Sequence, residues 1–297
     1  ERYVDRHLKS STARDYKSHF RRHIIPAWKG RGVKSITRKD VIKLLDKIED
    51  QAPIQCNRTQ ATISKWFSWM TDERAILAVN PLLRLKKRTP ENRRSRVLND
   101  TELSSIWHTA SEMENYFGII CKLLMLTAKR RAEVAGMKWS EINAIDRIWT
   151  IPGGREGRTK NKLDDVVPLS DQALTILQSL PRDPETDYIF PSRNNKGRPV
   201  SGFSRAQKNF IRYSGVENWT FHDLRRTVRS NLSRLHIPKE VADKVLNHVD
   251  NSVDGRHYDW HSYLSEKRDA LQTWGNALDH ILQKPSVRNV IQIGISQ

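Results

Sequence analysis

One short segment, residues 126–139, places cationic side chains where a helical pattern stops and restarts. Arg130 lies at this break, and Glu133 follows three positions later, where a carboxylate can hold a guanidinium in place. A guanidinium held in this way suits a phosphate, because its planar fork of N–H donors matches the oxygens of the anion. Lys129 and Arg131 flank Arg130, so this segment alone leaves open which of the three cations is used.

A second segment pairs an imidazole with a guanidinium. In residues 220–227, His222 and Arg225 stand three positions apart, which puts both on one face of a helix, where one phosphate could contact both. Transfer of a phosphodiester to a protein hydroxyl requires such groups, namely cations for the non-bridging oxygens and a carrier for the proton. A capping histidine and a surface arginine would give the same pattern.

The charge of the whole chain indicates the class of partner. Its 297 residues include 52 Lys and Arg against 34 Asp and Glu, which gives a formal net charge of +18. Such an excess predicts an acidic polymer as the partner, and nucleic acid is the polymer whose phosphates favour many spread cations. Charge alone does not distinguish this partner from the simpler case of a soluble basic protein.

Two further observations argue against other classes. No apolar run approaches the roughly 20 residues that span a bilayer, and no secretory signal opens the chain, so we expect a soluble, intracellular protein with no membrane partner. Cys56 and Cys121 have no CxxC spacing or His-rich neighbour, which argues against a zinc site or a disulfide framework. We expect both thiols to be buried as small hydrophobic groups.

The chain is long enough for two domains. The first, 1–84, reads as helical, with Thr37 and Asp40 at capping-box spacing before one of the helices. Its helices are predicted at 11–28, 37–48 and 57–71. A basic stretch, 85–97, has almost nothing to bury and is predicted to be an interdomain linker lying against a phosphate backbone, or else a solvated loop.

The second domain is predicted to cover 98–297 and to be mostly helical. Asn99 or Asp100 caps its first helix, and short branched and aromatic runs at 147–152 and 164–169 predict a β-hairpin with a long basic tip. Its helices are predicted at 99–111, 117–126, 170–180, 203–214, 222–235, 238–247 and 262–283. The fold class is therefore mainly α with one small antiparallel β-sheet.

Taken together, these segments resemble the tyrosine recombinase or phage integrase family, in particular its prophage-type integrases, over nearly the whole chain. Arg130 stands at the first arginine of the family's Thr-Gly-x-Arg-x-x-Glu box, with Ala128 where Gly is usual. His222-Asp-Leu-Arg225 matches the His-x-x-Arg box. Leu246-Asn-His248 is similar to the family's Leu-Gly-His, with Asn247 replacing Gly.

The resemblance also proposes a lysine and a nucleophile. Residues 158–161, in the hairpin tip, are similar to the lysine-bearing turn of the family, which places the lysine at Lys160. Family members commonly carry the tyrosine nine residues after the last histidine, where this chain has His257, so the resemblance assigns Tyr258, one residue later. Tyr263 begins the following helix and is interpreted as a core aromatic.

What the resemblance implies is a site-specific DNA recombinase that cleaves and rejoins strands through a covalent 3′-phosphotyrosine, and so integrates or excises a mobile element. Tyr258 would attack the phosphorus, Arg130, Arg225 and His248 would bind the phosphate oxygens, and two further residues would move protons. Those two are His222, which would accept the tyrosine proton, and Lys160, which would protonate the leaving 5′-oxygen. The fold implied is a helical core-binding domain followed by an α+β catalytic domain.

The implied partners are double-stranded DNA attachment sites, a homotetramer assembled on DNA, and accessory DNA-bending or directionality factors in the bacterial cytoplasm and nucleoid. No cofactor is expected, because the reaction needs neither ATP nor a metal ion. His257 and His261 stand at i,i+4, but no third ligand or intervening glutamate accompanies them. The alternatives are a type IB topoisomerase and a DNA-binding protein of the same fold that makes no covalent bond.

Overall fold

The computed structural model describes residues 2–92, 94–154, 157–159, 161, 163–248 and 263–283. Two units separate at residue 94, Glu1–Arg94 and Ser95–Gln297. Helices dominate both, and small antiparallel sheets occur only in the second within the described ranges, which confirms the predicted fold class.

The first unit is a set of helices around an aromatic and aliphatic core. The core includes Trp28, Val41, Leu45, Ile63 and Phe67. The helices are α1 (Arg2–His7), α2 (Ser10–His19), α3 (Ile25–Trp28), α4 (Arg38–Glu49) and α5 (Pro53–Ser68), with single π-helical turns at Phe20–Ile24 and Trp69–Glu73.

Local sequence sets both the start of α4 and the interruption between α2 and α3. Thr37 and Asp40 form the predicted capping box, in which each side chain accepts from the other residue's backbone N–H. The helix predicted at 11–28 is instead widened by the π turn, in which the N–H of Ile25 donates to the carbonyl of Phe20. Pro26 explains the widening, because it supplies no N–H to the preceding turn.

Residues 85–91 are bound to the first unit by hydrogen bonds. Gln60 Nε2 donates to the carbonyls of Leu85 and Lys86, at 3.1 and 3.0 Å. Asn57, which is buried, donates to the carbonyl of Thr89 at 2.7 Å and accepts from the N–H of Arg88 at 3.1 Å. The first half of the segment predicted as a linker is therefore anchored by two side chains of α5.

The second unit contains eight helices and five strands within the described residues. The helices are α6 (Asp100–Glu112), α7 (Tyr116–Thr127), α8 (Arg131–Ala135), α9 (Asp171–Gln178), α10 (Phe203–Ser214), α11 (Phe221–Arg234), α12 (Lys239–Val245) and α13 (Leu264–Gln283). The strands are β1 (Ile142–Asn143), β2 (Ile148–Ile151), β3 (Asp165–Pro168), β4 (Pro191–Ser192) and β5 (Asn195–Pro199).

The predicted hairpin is present and is part of a three-stranded sheet of order β1-β2-β3. In its antiparallel register Trp149 pairs with Val167 and Ile151 with Asp165, so the buried faces of β2 and β3 coincide. A second sheet, β4-β5, was not predicted. Its strand β5 is almost wholly exposed and lacks the alternation of apolar residues by which strands are recognised.

The core of the second unit is built around α7. Ile120, Leu123 and Leu124 of this helix are buried in one cluster with residues of α11, α13 and the β-hairpin. Trp274 of α13 is also buried there, and its indole N–H donates to the carbonyl of Met125 at 2.7 Å. The helix that carries the Arg130 box at its end is therefore fixed on several sides.

Smaller features of the two units agree with their composition. Cys56 and Cys121 are buried, as predicted. Leu278 and Ile281 of α13 pack within their own unit. Over the described part of the chain, no helix combines the length and the apolarity needed to cross a membrane.

The anchoring of residues 85–91 predicts a change in protease sensitivity. In an Asn57→Ala variant the N–H groups and carbonyl that Asn57 binds lose their partner, at a cost of about 1–3 kcal/mol. We expect tryptic cleavage after Lys86, Lys87 or Arg88 to accelerate by about tenfold or more under native conditions. Timed digestion with mass spectrometry measures this rate.

The matched control is Asn143→Ala, which removes a side-chain bond to Asp146 in the β1–β2 turn. Its cleavage at 86–88 should equal that of the unmodified chain. Equal rates in all three proteins would show that Asn57 does not hold the segment.

Candidate active site

The turn between α7 and α8 presents Arg130. Helix α7 ends at Thr127 because Ala128 takes the left-handed conformation, with φ 55° and ψ 19°. That conformation costs a residue with a Cβ about 1–2 kcal/mol, which explains why glycine is usual at this place in the family box. Arg130 then precedes the first residue of α8, so the predicted break in the helix is observed.

Glu133 fixes Arg130 from the first turn of α8. Its Oε1 accepts from Arg130 Nη1 at 2.8 Å, and its Oε2 accepts from the Arg130 backbone N–H at 2.7 Å. The carboxylate is buried, whereas 27% of the Arg130 side chain is exposed. Glu133 therefore holds the Arg130 guanidinium in one orientation from the buried side and leaves it accessible on the solvent side. The spacing of the two residues predicted this arrangement.

The two cations that flank Arg130 are engaged elsewhere. Lys129 points into the unit with 1% of its side chain exposed, and its Nζ donates to Asp165 Oδ2 and to the carbonyl of Val245, both at 2.7 Å. The guanidinium of Arg131 lies 4.7 Å from the ring centroid of Phe203. The structure thus distinguishes three neighbouring cations that the sequence alone could not.

Helix α11 positions the imidazole–guanidinium pair of His222 and Arg225. It starts after a capping box formed by Thr220 and the buried Asp223. Arg225 is only 4% exposed; its Nη1 donates to the carbonyl of Ala128 at 2.6 Å, and its Nη2 donates to the carbonyl of Leu246. His222, one turn earlier, is exposed at the start of the helix.

His248 follows a left-handed turn at the end of α12. Asn247 adopts φ 49°, a conformation that asparagine tolerates better than most residues other than glycine. The side chain of Asn247 accepts a hydrogen bond from Asn161 Nδ2 at 2.7 Å, which ties this turn to the tip of the β-hairpin. His248 is 53% exposed, and its Nδ1 lies 3.9 Å from Asp243 Oδ1.

The four described side chains share one electrostatic environment. Burial and then the charge of Arg130 lower the pKa of Arg225 to about 10, so it stays protonated at neutral pH. Partial burial, followed by Arg226 and Arg225, lowers the pKa of His222. Partial burial and then Arg225 lower the pKa of His248, and Arg130 contributes to both histidine shifts.

Two of the six predicted site residues, Lys160 and Tyr258, lie outside the described residues, as do His257 and His261. Tyr263 directly precedes α13, packs partly buried against the core, and has Lys244 Nζ 4.7 Å from its ring centroid. This is the core position predicted for Tyr263.

The buried pair of Asp165 and Lys129 was not predicted from the sequence. Asp165 is buried on β3, beside an exposed Asp164, in a hairpin whose tip is basic. A pair of aspartates at the start of an otherwise apolar strand was the available signal, since an acidic residue is rarely buried without a cationic partner.

Two segments of the chain match known protein families. Residues 96–263 match the profile described as "Phage integrase family", and residues 1–48 match "Phage integrase, N-terminal SAM-like domain". The first match alone covers more than half of the chain. The chain belongs to the phage integrase family.

Curated relatives include two prophage integrases of Escherichia coli (strain K12). IntA is 24% identical over 278 residues, which cover 90% of this chain and 66% of IntA. IntZ is 27% identical over 290 residues, which cover 92% of this chain and 67% of IntZ. The chain thus spans about two thirds of the length of these relatives.

Solved integrase structures share the fold. A lambda integrase tetramer bound to a Holliday junction superposes with a TM-score of 0.66 at 21% identity, covering 85% of this chain and 76% of that chain. The Tn1549 transposon integrase in complex with circular intermediate DNA gives a TM-score of 0.63 at 12% identity, covering 90% and 95%.

The lowered histidine pKa values predict a pH dependence of stability. In the unfolded chain both imidazoles titrate near the ordinary 6.5, whereas the folded protein keeps them neutral to lower pH. As the pH falls below about 7 the unfolded chain binds protons first, so the free energy of unfolding decreases until the lowered pKa values are passed. Urea unfolding at several pH values from 7.5 to 5 measures this decrease.

A His222→Gln/His248→Gln variant should lose less stability over the same pH range. His19 and His23 also have lowered pKa values and remain in both proteins, so the difference between the two proteins isolates the candidate site. Identical pH dependences would contradict the assigned environment of the two imidazoles.

Proposed function

We propose that this chain is a site-specific DNA recombinase, an integrase that cleaves and rejoins strands through a 3′-phosphotyrosine on Tyr258. The main support for the proposal is that the structure brings the two arginines to the same turn. Arg225 donates to the carbonyl of Ala128, two residues before Arg130, and each arginine acts on the pKa of both histidines. Membership of the phage integrase family supports the same activity.

The two arginines suit the charge that develops at phosphorus. Attack by a tyrosine oxygen adds negative charge to the non-bridging oxygens, and preplaced donors stabilise that charge without reorganising. Arg130 is held by Glu133, and Arg225 is held by two backbone carbonyls. Because Arg225 is buried, its charge is less screened by water than that of a surface arginine.

The histidines and the lysine would move protons and bind oxygen. Since their pKa values are lowered, His222 and His248 are mostly neutral at pH 7. His222 can then accept the proton of the Tyr258 hydroxyl, and His248 can donate an N–H to a phosphate oxygen. Lys160 would protonate the 5′-oxygen as its bond to phosphorus breaks.

The second half of the reaction reverses the first. The 5′-hydroxyl of a partner strand attacks the phosphotyrosine and gives its proton to Lys160, while the displaced tyrosine oxygen takes back a proton from His222. One phosphoester replaces another at each step, so bond energy is conserved and no ATP is required. Two guanidiniums and an imidazole N–H would provide the charge neutralisation that metal ions provide in many nucleases.

The proposed partners are double-stranded attachment sites and three further copies of the chain. The net charge of +18 suits DNA, and integrase relatives have been solved as a dimer bound to a core site and as a tetramer bound to a Holliday junction. Accessory DNA-bending or directionality factors would act on the same assembly.

The first unit is proposed to be the core-type DNA-binding domain, residues 1–84, joined through 85–97 to a catalytic domain at 98–297. A groove of about 1330 Å³ on this unit is lined by Arg21, Arg22, Lys65 and Arg74 together with Trp66 and Trp69. Cations along one groove suit the phosphate backbone of a DNA duplex.

The nucleophile is tested by trapping the covalent complex. Nicked duplexes with a randomised core serve as substrates, because loss of a short leaving strand prevents religation. We expect the unmodified chain to give a detergent-stable DNA adduct on the peptide that contains Tyr258, identified by mass spectrometry. Tyr258→Phe should reduce the adduct at least 1000-fold, since phenylalanine offers no oxygen.

Tyr263→Phe is the matched control and should retain the adduct, because this ring is proposed to pack rather than react. An adduct on a peptide without Tyr258 would reject the nucleophile, and no adduct with any duplex would reject the recombinase. Relaxation of supercoiled DNA without a specific site would indicate a topoisomerase instead.

The general-acid role of Lys160 is tested on the DNA sequence that is recovered in the covalent adduct. Lys160→Ala should slow cleavage about 100-fold or more on an ordinary phosphodiester, because the leaving alkoxide is left unprotonated. Replacing the bridging 5′-oxygen by sulfur should restore the rate, since a thiolate leaves without a proton. A defect that persists with sulfur would show that Lys160 acts in another way.

A further inference from the structure

Lys129 is a buried cation for which neither the family box nor the proposed mechanism provides a role. It occupies the variable position directly before Arg130. Its ammonium lies between Asp165 of β3 and the carbonyl of Val245 at the end of α12, at 2.7 Å from each oxygen. One side chain therefore joins the arginine turn to two elements that are 36 and 116 residues further along the chain.

The contact to Val245 concerns a helix end. The last carbonyls of a helix have no partner within the helix, and cations stabilise the negative end of its dipole. At the end of α12, Lys129 binds the carbonyl of Val245 and Arg225 binds that of Leu246. Asn247 and His248 follow directly, so both cations fix the point from which His248 is presented.

The same two cations meet again at the arginine turn. Arg225 donates to the carbonyl of Ala128, and Lys129 is the next residue of that turn. The segments 128–130 and 245–248 are therefore cross-linked twice, once by each cation. Asp165 adds a third point, because it fixes the ammonium to the strand that leads out of the hairpin tip.

Stability is a poor explanation for this arrangement. Burial lowers the pKa of Lys129 to about 8, with Asp165 opposing the shift. A buried ion pair is often no more stabilising than apolar side chains of similar volume, whereas removal of one partner is costly. A pair that adds little net stability is better explained by the geometry that it imposes.

We infer that Lys129 and Asp165 are positioning residues, which hold the Arg130 turn and the end of α12 in register so that Arg130 and His248 face the same phosphate. The predicted effect of this pair on the cleavage rate rests on the proposed function. Its predicted effect on His248 in the free protein does not.

The decisive variant is Lys129→Met/Asp165→Leu, which replaces the pair by apolar side chains of similar size. Each single substitution leaves a buried polar or charged group without its partner and should lower the unfolding midpoint, and the double variant should recover most of it. The carbonyl of Val245 still lacks its donor in the double variant. We therefore expect adduct formation at saturating DNA to be at least tenfold slower, with the Kd for DNA changed less than twofold.

A second readout follows His248 directly by NMR titration without DNA. The groups that shift the pKa of His248 are Arg225, Asp243, Arg130 and Arg229, in addition to its own burial. If the end of α12 moves away from the arginine turn, burial and the two arginines act less, and the pKa of His248 rises toward its ordinary value. This titration tests the inference even if the unmodified chain cleaves no DNA.

Lys267→Met is the matched control. Lys267 is also buried and donates to β3, at the carbonyl of Val166 at 2.5 Å, but from α13 rather than from the arginine turn. It should lose stability while the cleavage rate stays within twofold and the His248 titration stays unchanged. An effect equal to that of the double variant would mean that any damage to β3 slows the reaction.

The inference is overturned if the double variant cleaves at the original rate with an unchanged His248 titration. If the double variant does not fold, as judged by circular dichroism, Asp165→Asn takes its place, because asparagine keeps the size of the side chain but removes the negative charge that holds the Lys129 ammonium. It should shift the rate and the His248 pKa in the same directions, and unchanged values of both would overturn the inference.

Discussion

The arrangement of this site depends on one buried guanidinium. Arg225 reaches from α11 to the carbonyl of Ala128 and to that of Leu246, which lie 97 and 21 residues away in sequence. Both carbonyls stand at helix ends, where left-handed residues, Ala128 and Asn247, turn the chain. Such carbonyls need donors from outside the helix, and a planar guanidinium can serve two at once. The group proposed to bind the phosphate therefore also builds the site.

Whether a feature of this fold could be predicted depends on how far apart in sequence its interacting residues lie. The capping box of Thr37 and the N-cap at Asn99, predicted there or at Asp100, act over three residues, and the β2–β3 hairpin acts over about twenty, so these features were predicted. Three features were not, namely the π turn at Phe20–Ile24, the β4–β5 sheet and the docking of 85–91. The π turn was not predicted because several different sequences can form one. The other two features depend on partners that are distant in sequence, such as Gln60.

The same limit applies to the candidate site. Sequence spacing identified the Arg130–Glu133 pair, because it forms within one turn of helix. It could not separate Arg130 from Lys129, because the burial of Lys129 is decided by Asp165 and Val245. The family resemblance selected Arg130 by its place in a box. The structure supplies the physical difference. Arg130 is held at the surface by the carboxylate of Glu133, whereas Lys129 is buried and ion-paired with Asp165.

The charges of the site also couple its parts to an anion. Arg130 lowers the pKa of Arg225, and both arginines lower the pKa values of His222 and His248, so the two arginines disfavour the protonated forms of both histidines. A phosphodiester placed among them would oppose each of these shifts at once, because a nearby negative charge favours every protonated form. In the proposed mechanism, binding of DNA would then raise the pKa of His222 and make it a better acceptor for the tyrosine proton. The charge of the two arginines would in this way help to activate the proposed base when a phosphate is bound.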